Sequence, residues 1–206
     1  MTEAVRAAAI ARGRSLEYLT IAWNSLEAFL AVILGVMAGS IALIGFGFDS
    51  VIEVSSGVAL LWRLHMDHHI HRRQQTEARA LKLVGLSFIA LAAYVAYDAI
   101  ASLLQRDAPE ESFPGIVLAA LSLIAMPILA RAKRRVAAEI TSRALQADAR
   151  QTDICAYLSA ILLAGLALNA TLGWWWADPV AALAMTPIIA KEGREALRGE
   201  TCGDCH

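Results

Sequence analysis

Apolar runs long enough to cross a bilayer recur along this chain, at residues 16–38, 40–62, 78–104, 114–130, 141–172 and 178–197. A helix needs roughly 20 predominantly apolar residues to cross the hydrocarbon core. Only short polar stretches separate the runs, which predicts an all-α membrane protein of six transmembrane helices. Composition agrees: 58% of residues are hydrophobic and 18% charged, against about half and a quarter in soluble domains. The sixth run is the least apolar, because Lys191 and Glu192 arrive early. Asp178-Pro179 reads as its start, an N-cap followed by proline at the first helical position.

Lys and Arg set the expected orientation. They gather in the N-terminal arm (Arg6, Arg12, Arg14), after the second run (Arg63, Arg72, Arg73, Arg79, Lys82), after the fourth (Arg131, Lys133, Arg134, Arg135, Arg143, Arg150) and at the C-terminal end (Lys191, Arg194, Arg198). The opposite side holds only Arg106, among Asp107, Glu110 and Glu111. Both termini are therefore expected in the cytoplasm, in a multi-pass protein of the cell inner membrane. "GWWWADP" (173–179) falls on the outer face, where tryptophans favour the interface. Residues 1–15 form a cytoplasmic arm, 16–198 the membrane domain and 199–206 a short tail. The first run, with Glu17, Asn24 and Glu27, is a structural segment rather than a signal peptide. Three cysteines are too few for a disulfide framework.

The second run carries Asp49 and Glu53, one helical turn apart and on one face. Each charge near the bilayer centre costs about 2.5–3.5 kcal/mol on the insertion scale. The Ile, Leu, Phe and Val residues of the run return about 0.3–0.6 kcal/mol each, so the helix inserts near break-even. Two such acids need a counter-charge, a proton or a cation. The first two runs form a hairpin turning near Gly39, which puts Asn24 level with Glu53 and Glu27 level with Asp49. Three carboxylates and an amide then share one slab of membrane, and hard oxygen donors suit divalent cations. The alternative is a structural hydrogen-bond network.

The fifth run opens "ALQADARQTDICAYLS" (144–159), with Asp148, Gln151 and Cys155 on one face; thiolate is a good zinc ligand. Here the chain resembles the cation diffusion facilitators. "GSIALIGFGFDSVIE" (39–53) looks like their metal-binding second helix, and "ADARQTDIC" with "GWWWADPVAAL" resembles the fifth and sixth. The resemblance implies a transport site of two carboxylates from the second helix and a His-x-x-x-Asp pair from the fifth. Asp49 and Glu53 match the first pair. Gln151 stands where His is usual and Cys155 where Asp is usual, which makes the site softer. Asp148 assists in this reading, with Asp153 on another face and the weaker choice. The resemblance also implies a short branch without the family's cytosolic C-terminal domain, and dimerisation by analogy.

Counting along the helices leaves a mismatch. Asp49 lies about ten residues from the outer turn and Cys155 nearly twice that, about 12 Å apart in depth at 1.5 Å per residue. The fifth helix must tilt or protrude outward for the two to meet.

"HMDHHIHRR" (65–73) offers Asp67, His68 and His71 as a cytoplasmic loading site, or is a solvated basic loop. The tail "CGDCH" offers Cys202, Cys205 and His206 on the same terms. Pro127 and Pro187 lie within runs and are expected to kink them; Gly35, Gly39, Gly45 and Gly47 permit close helix approach. No phosphate-binding loop, nucleophile elbow or dinucleotide fingerprint is present, so no enzyme, cofactor or nucleic-acid partner is expected. The expected function is efflux of a divalent cation, zinc first, in exchange for protons by alternating access. A membrane-embedded metal sensor or chaperone, and a structural membrane protein, are the rivals.

Overall fold

The computed structural model describes residues 3–65, 70–106 and 109–198, all in helices or their short connections. Six helices follow one another: α1 Glu3–Ala38, α2 Ile41–His65, α3 Ile70–Gln105, α4 Phe113–Ile140, α5 Arg143–Leu172 and α6 Ala177–Arg198. Five are long and apolar enough to cross a membrane; α6 falls short by composition, since Asp178, Lys191, Glu192, Arg194 and Glu195 interrupt it. The protein is an all-α, multi-pass membrane protein. Large apolar side chains such as Phe29, Val36, Leu86 and Ile124 face outward, as lipid-facing positions should.

Helices successive in the chain run in opposite directions, and the contacts among α1, α2, α5 and α4 close a ring. α3 and α6 pair with each other and lean on α2. α2 touches α1, α3, α5 and α6, so its polar face is turned to the ring and hidden from lipid. Small residues set the spacing. A Cβ on Gly47 would stand 2.8 Å from a Val32 methyl, and one on Gly165 2.6 Å from the Ala181 Cβ. Both helix pairs approach as closely as glycine allows.

Two helices run further than hydropathy indicated. α1 is continuous from Glu3, so the arm expected at 1–15 is largely part of it. α4 continues through "RAKRR" to Ile140 instead of stopping near residue 130. Arg131, Arg134 and Arg135 line its exposed side, while Lys133, Val136 and Ala137 turn inward. The extension is amphipathic and finds partners. The α4–α5 turn is then very short. Thr141 closes α4 in the left-handed conformation (φ 54°), and the Ser142 hydroxyl accepts from Leu145 N–H to start α5.

Asp178 corrects a sequence expectation. It does not cap α6, which has begun by Ala177. Its carboxylate instead caps α2, accepting from Ser40 Oγ (2.5 Å), Ile41 N (3.0 Å) and Ala42 N (3.4 Å). Ser40 Oγ in turn accepts from Leu43 N. A buried helix start leaves orphan N–H groups, and only a neighbouring helix can supply an anion there. Asp178→Ala should therefore destabilise the folded protein by about 3 kcal/mol, because charge-assisted bonds to a buried helix terminus are lost together. Thermal unfolding in detergent checks this; an unchanged midpoint would show the cap to be dispensable.

Candidate metal site

The interior of the four-helix ring is polar along one continuous track. α1 contributes Glu17, Thr20, Asn24 and Glu27, all buried, at the three- and four-residue spacing of one helix face. α2 contributes Asp49, Ser50 and Glu53; α4 contributes Ser122 and Lys133; α5 contributes Asp148, Thr152, Cys155 and Ser159.

At mid-depth, Glu27, Asp49, Glu53 and Cys155 lie within electrostatic range of one another. Cys155 sits beside Glu53. Ser122 Oγ donates to Glu27 Oε1 at 2.8 Å. The second Glu27 oxygen, both Glu53 oxygens and both Asn24 amide atoms make no well-formed hydrogen bond among the described residues, although Trp23 lies beside Glu27, and Thr152 and Cys155 beside Glu53, near enough for loose ones. Buried polar atoms are almost always paired, so this concentration of orphans in one slab marks a place prepared for something else. The α1–α2 register is shifted from simple counting: Gly47 meets Val32, and Gly57 meets Ile21, which sets Glu27 between the levels of Asp49 and Glu53 instead of level with Asp49.

As the side chains stand, no three His, Cys, Asp or Glu groups among the described residues converge tightly enough to close around one ion. The depth mismatch is partly resolved because Cys155 meets Glu53, one turn deeper than Asp49.

The other expected ligands distribute unevenly. Asp148 is buried but bound to the Lys133 ammonium, which also lies 3.3 Å from Glu17. Asp148 thus belongs to a charged cluster deeper toward the arginine-rich end. Gln151 is only partly buried, at the edge of the inward face. Thr152 holds the centre of that face, because positions 148, 152, 155 and 159 repeat at helical spacing. Asp153 turns away and pairs with Arg134. Asp67, His68 and the side chain of His71 lie outside the described residues, as does the "CGDCH" tail.

Sequence reading missed three participants. Ser122 carries no signal in an apolar run. Lys133 was counted with the loop arginines, although its spacing from Met126, Leu129 and Ala130 could have placed it on the inward face. Glu192, on α6, lies within electrostatic range of both Asp49 and Glu53.

A helical membrane bundle whose inner ring is lined by acids from several helices, with lipid-facing sides outside, defines an ion-handling membrane domain. The comparison with known families is specific: the cation efflux transmembrane domain matches residues 18–200, and the chain belongs to that family. Among its relatives, an uncharacterized transporter of Synechocystis sp. is 24% identical over 189 residues, 88% of this chain and 61% of that protein. Transmembrane protein 163 of Xenopus laevis is 30% identical over 131 residues, 64% of this chain and 46% of that protein. The chain thus spans about three-fifths and under half of these two relatives.

Proposed function

We propose that this protein is a cation transporter of the cation diffusion facilitator type. It carries a divalent metal ion, zinc first, out of the cytoplasm across the inner membrane in exchange for protons. The observation that carries this reading is the set of buried acids on α1 and α2, their Glu27 and Glu53 oxygens short of well-formed hydrogen bonds, beside a thiol on α5. Carboxylates in hydrocarbon are retained for function by default, and oxygen with one sulfur is a donor set that zinc accepts. The orientation read from Lys and Arg puts the arginine-rich end toward the cytoplasm.

Asp49 and Glu53 hold the ion, with Cys155 as the soft ligand and Glu27 and Asn24 supporting from α1. Rotation about the side-chain torsions of Glu53 and Asp49 draws the donors together. Because the ligands must be deprotonated to bind metal, protons arriving from the other side compete for the same oxygens and release the ion. Rocking of the helix pairs gives alternating access.

The test is zinc uptake into proteoliposomes under an imposed pH gradient, compared with protein-free vesicles. Uptake that follows the gradient supports the reading. Stoichiometric zinc binding without flux would make the protein a membrane-embedded metal-binding protein instead. Cys155 sets the softness of the site. Cys155→Ser should lower the preference for cadmium over zinc by about tenfold, since thiolate favours the softer ion. Competition uptake with both ions measures it; an unchanged ratio removes Cys155 from the ligand set.

A further inference from the structure

Deeper than the mid-membrane cluster, one ammonium is held where a metal ion could stand. Lys133 is 0% exposed. Its Nζ is bound to Asp148, lies 3.3 Å from Glu17 Oε1 and 3.4 Å from Glu17 Oε2, and donates to Thr152 Oγ1 at 3.4 Å. Three elements of the ring, α1, α4 and α5, thus meet on one positive charge. Thr152 is oriented by its own bond to the Asp148 carbonyl.

An apolar layer of Val136, Ala137 and Leu145, with Leu16 and Ile140 against it, shuts the group off from the arginine-rich end. On the other side stands Glu53, 4% exposed and in electrostatic range of both Lys133 and Asp148, with the Thr152 and Cys155 side chains beside its carboxylate. Asn24, 0% exposed and with both amide atoms unpartnered, lies two turns along α1 from Glu17. The polar track therefore runs from Glu53 through Thr152 to the Lys133 group.

The transport reading gives the ammonium no role. Its surroundings are those of a cation site: two carboxylates and a hydroxyl, from α1 and α5, around one centre. Hard divalent cations bind such oxygens at about 2.0–2.6 Å, so an ion in place of Nζ would need Glu17 to close by roughly 1 Å.

We propose that Glu17, Asp148 and Thr152 form a second site for hard divalent cations, which the chain fills with its own Lys133 ammonium. An ion moving between the arginine-rich end and Glu53 must displace Lys133, which swings toward Glu53 as it leaves. Lys133 thereby acts as a tethered competitor that keeps the inner end of the track closed to a second ion. The binding statement stands without transport; the part played on the path rests on the function proposed above.

The test measures Mn2+ binding to purified protein in detergent, in an Asp49→Ala background that disables the mid-membrane site. Adding Lys133→Met should create one further Mn2+ equivalent per chain. Adding Glu17→Gln and Asp148→Asn to that variant should abolish it. If the Lys133→Met protein folds only when Mn2+ is supplied, the ion is standing in for the ammonium and the proposal holds. If it folds and gains no Mn2+, or fails to fold at any Mn2+ concentration while the fully neutralised variant folds, the proposal is overturned. Should Asp49→Ala alone bind metal as the wild type does, the transport-site assignment fails, and the comparison with and without Lys133 still decides this one.

Discussion

Proteoliposomes carrying Glu53→Gln or Asp49→Asn should take up zinc at least about a hundredfold more slowly than those carrying the wild type. Loss of a group that merely orients a metal ligand costs 10–100-fold in affinity or activity, and removal of a ligand with its charge costs more. The substitutions are nearly isosteric, and a glutamine at 53 keeps an acceptor for the Thr152 and Cys155 side chains beside it. The fold therefore loses little, and thermal midpoints should stay within a few degrees of wild type. Neutralising an acid near the bilayer centre even removes an insertion cost of about 2.5–3.5 kcal/mol. Lost uptake with an intact melting curve separates a functional acid from a structural one. Uptake at wild-type rate in either variant would remove the pair from the ion path.

The opposite profile is expected at Lys133. Lys133→Met should destabilise the metal-free protein by about 3–5 kcal/mol, the cost of breaking a buried ion pair from one side. Glu17 and Asp148 are left as two uncompensated anions in the same dry volume. Combining Lys133→Met with Glu17→Gln and Asp148→Asn should recover most of the loss, because replacing a whole buried charged group is often neutral or better. The non-additivity is the signature: residues sharing one network couple by up to about 3 kcal/mol or more, whereas distant sites add. Unfolding of the single and multiple variants without divalent metal measures it. A Lys133→Met protein as stable as wild type would mean that the ammonium contributes nothing to the bundle.

The mid-membrane acids and Glu17 differ in kind although hydropathy treats them alike. Asp49 and Glu53 announce themselves because a lipid-spanning run cannot carry charge without reason, and their four-residue spacing puts them on one face. Glu17 lies near the end of its run, where a charge is unremarkable by composition. Its importance comes from Lys133, more than a hundred residues away, and only the packing of α1 against α4 joins them. Gln151 is the complementary case. Helical spacing placed it on one face with Asp148 and Cys155, and in the observed rotation of α5 Thr152 is buried at the centre of that face while Gln151 is half-buried at its edge.

Asp178 makes the same point at the other end of the bundle. Locally, Asp-Pro reads as the start of its own helix, since capping chemistry is normally a short-range matter. In the folded chain Ser40 caps only the Leu43 N–H of α2, and the Asp178 anion serves the Ile41 and Ala42 N–H groups left over. The α4 extension through "RAKRR" was hidden for a related reason. A charge run ends a hydropathy window, yet helix propensity and one inward-facing lysine with waiting partners carry the helix on by ten residues.

The sequence alone determined that this is a membrane bundle of helices, which helices carry acids into the hydrocarbon, and which end is basic. These follow from transfer energies and residue spacing, which act locally along the chain. Tertiary structure alone decided which acids share a slab with Cys155, which are tied to Lys133, and which helix Asp178 caps. Those outcomes depend on the rotation and depth of each helix against its neighbours, and these are set by close contacts such as Gly47 on Val32 and Gly165 on Ala181, between residues that no local pattern connects.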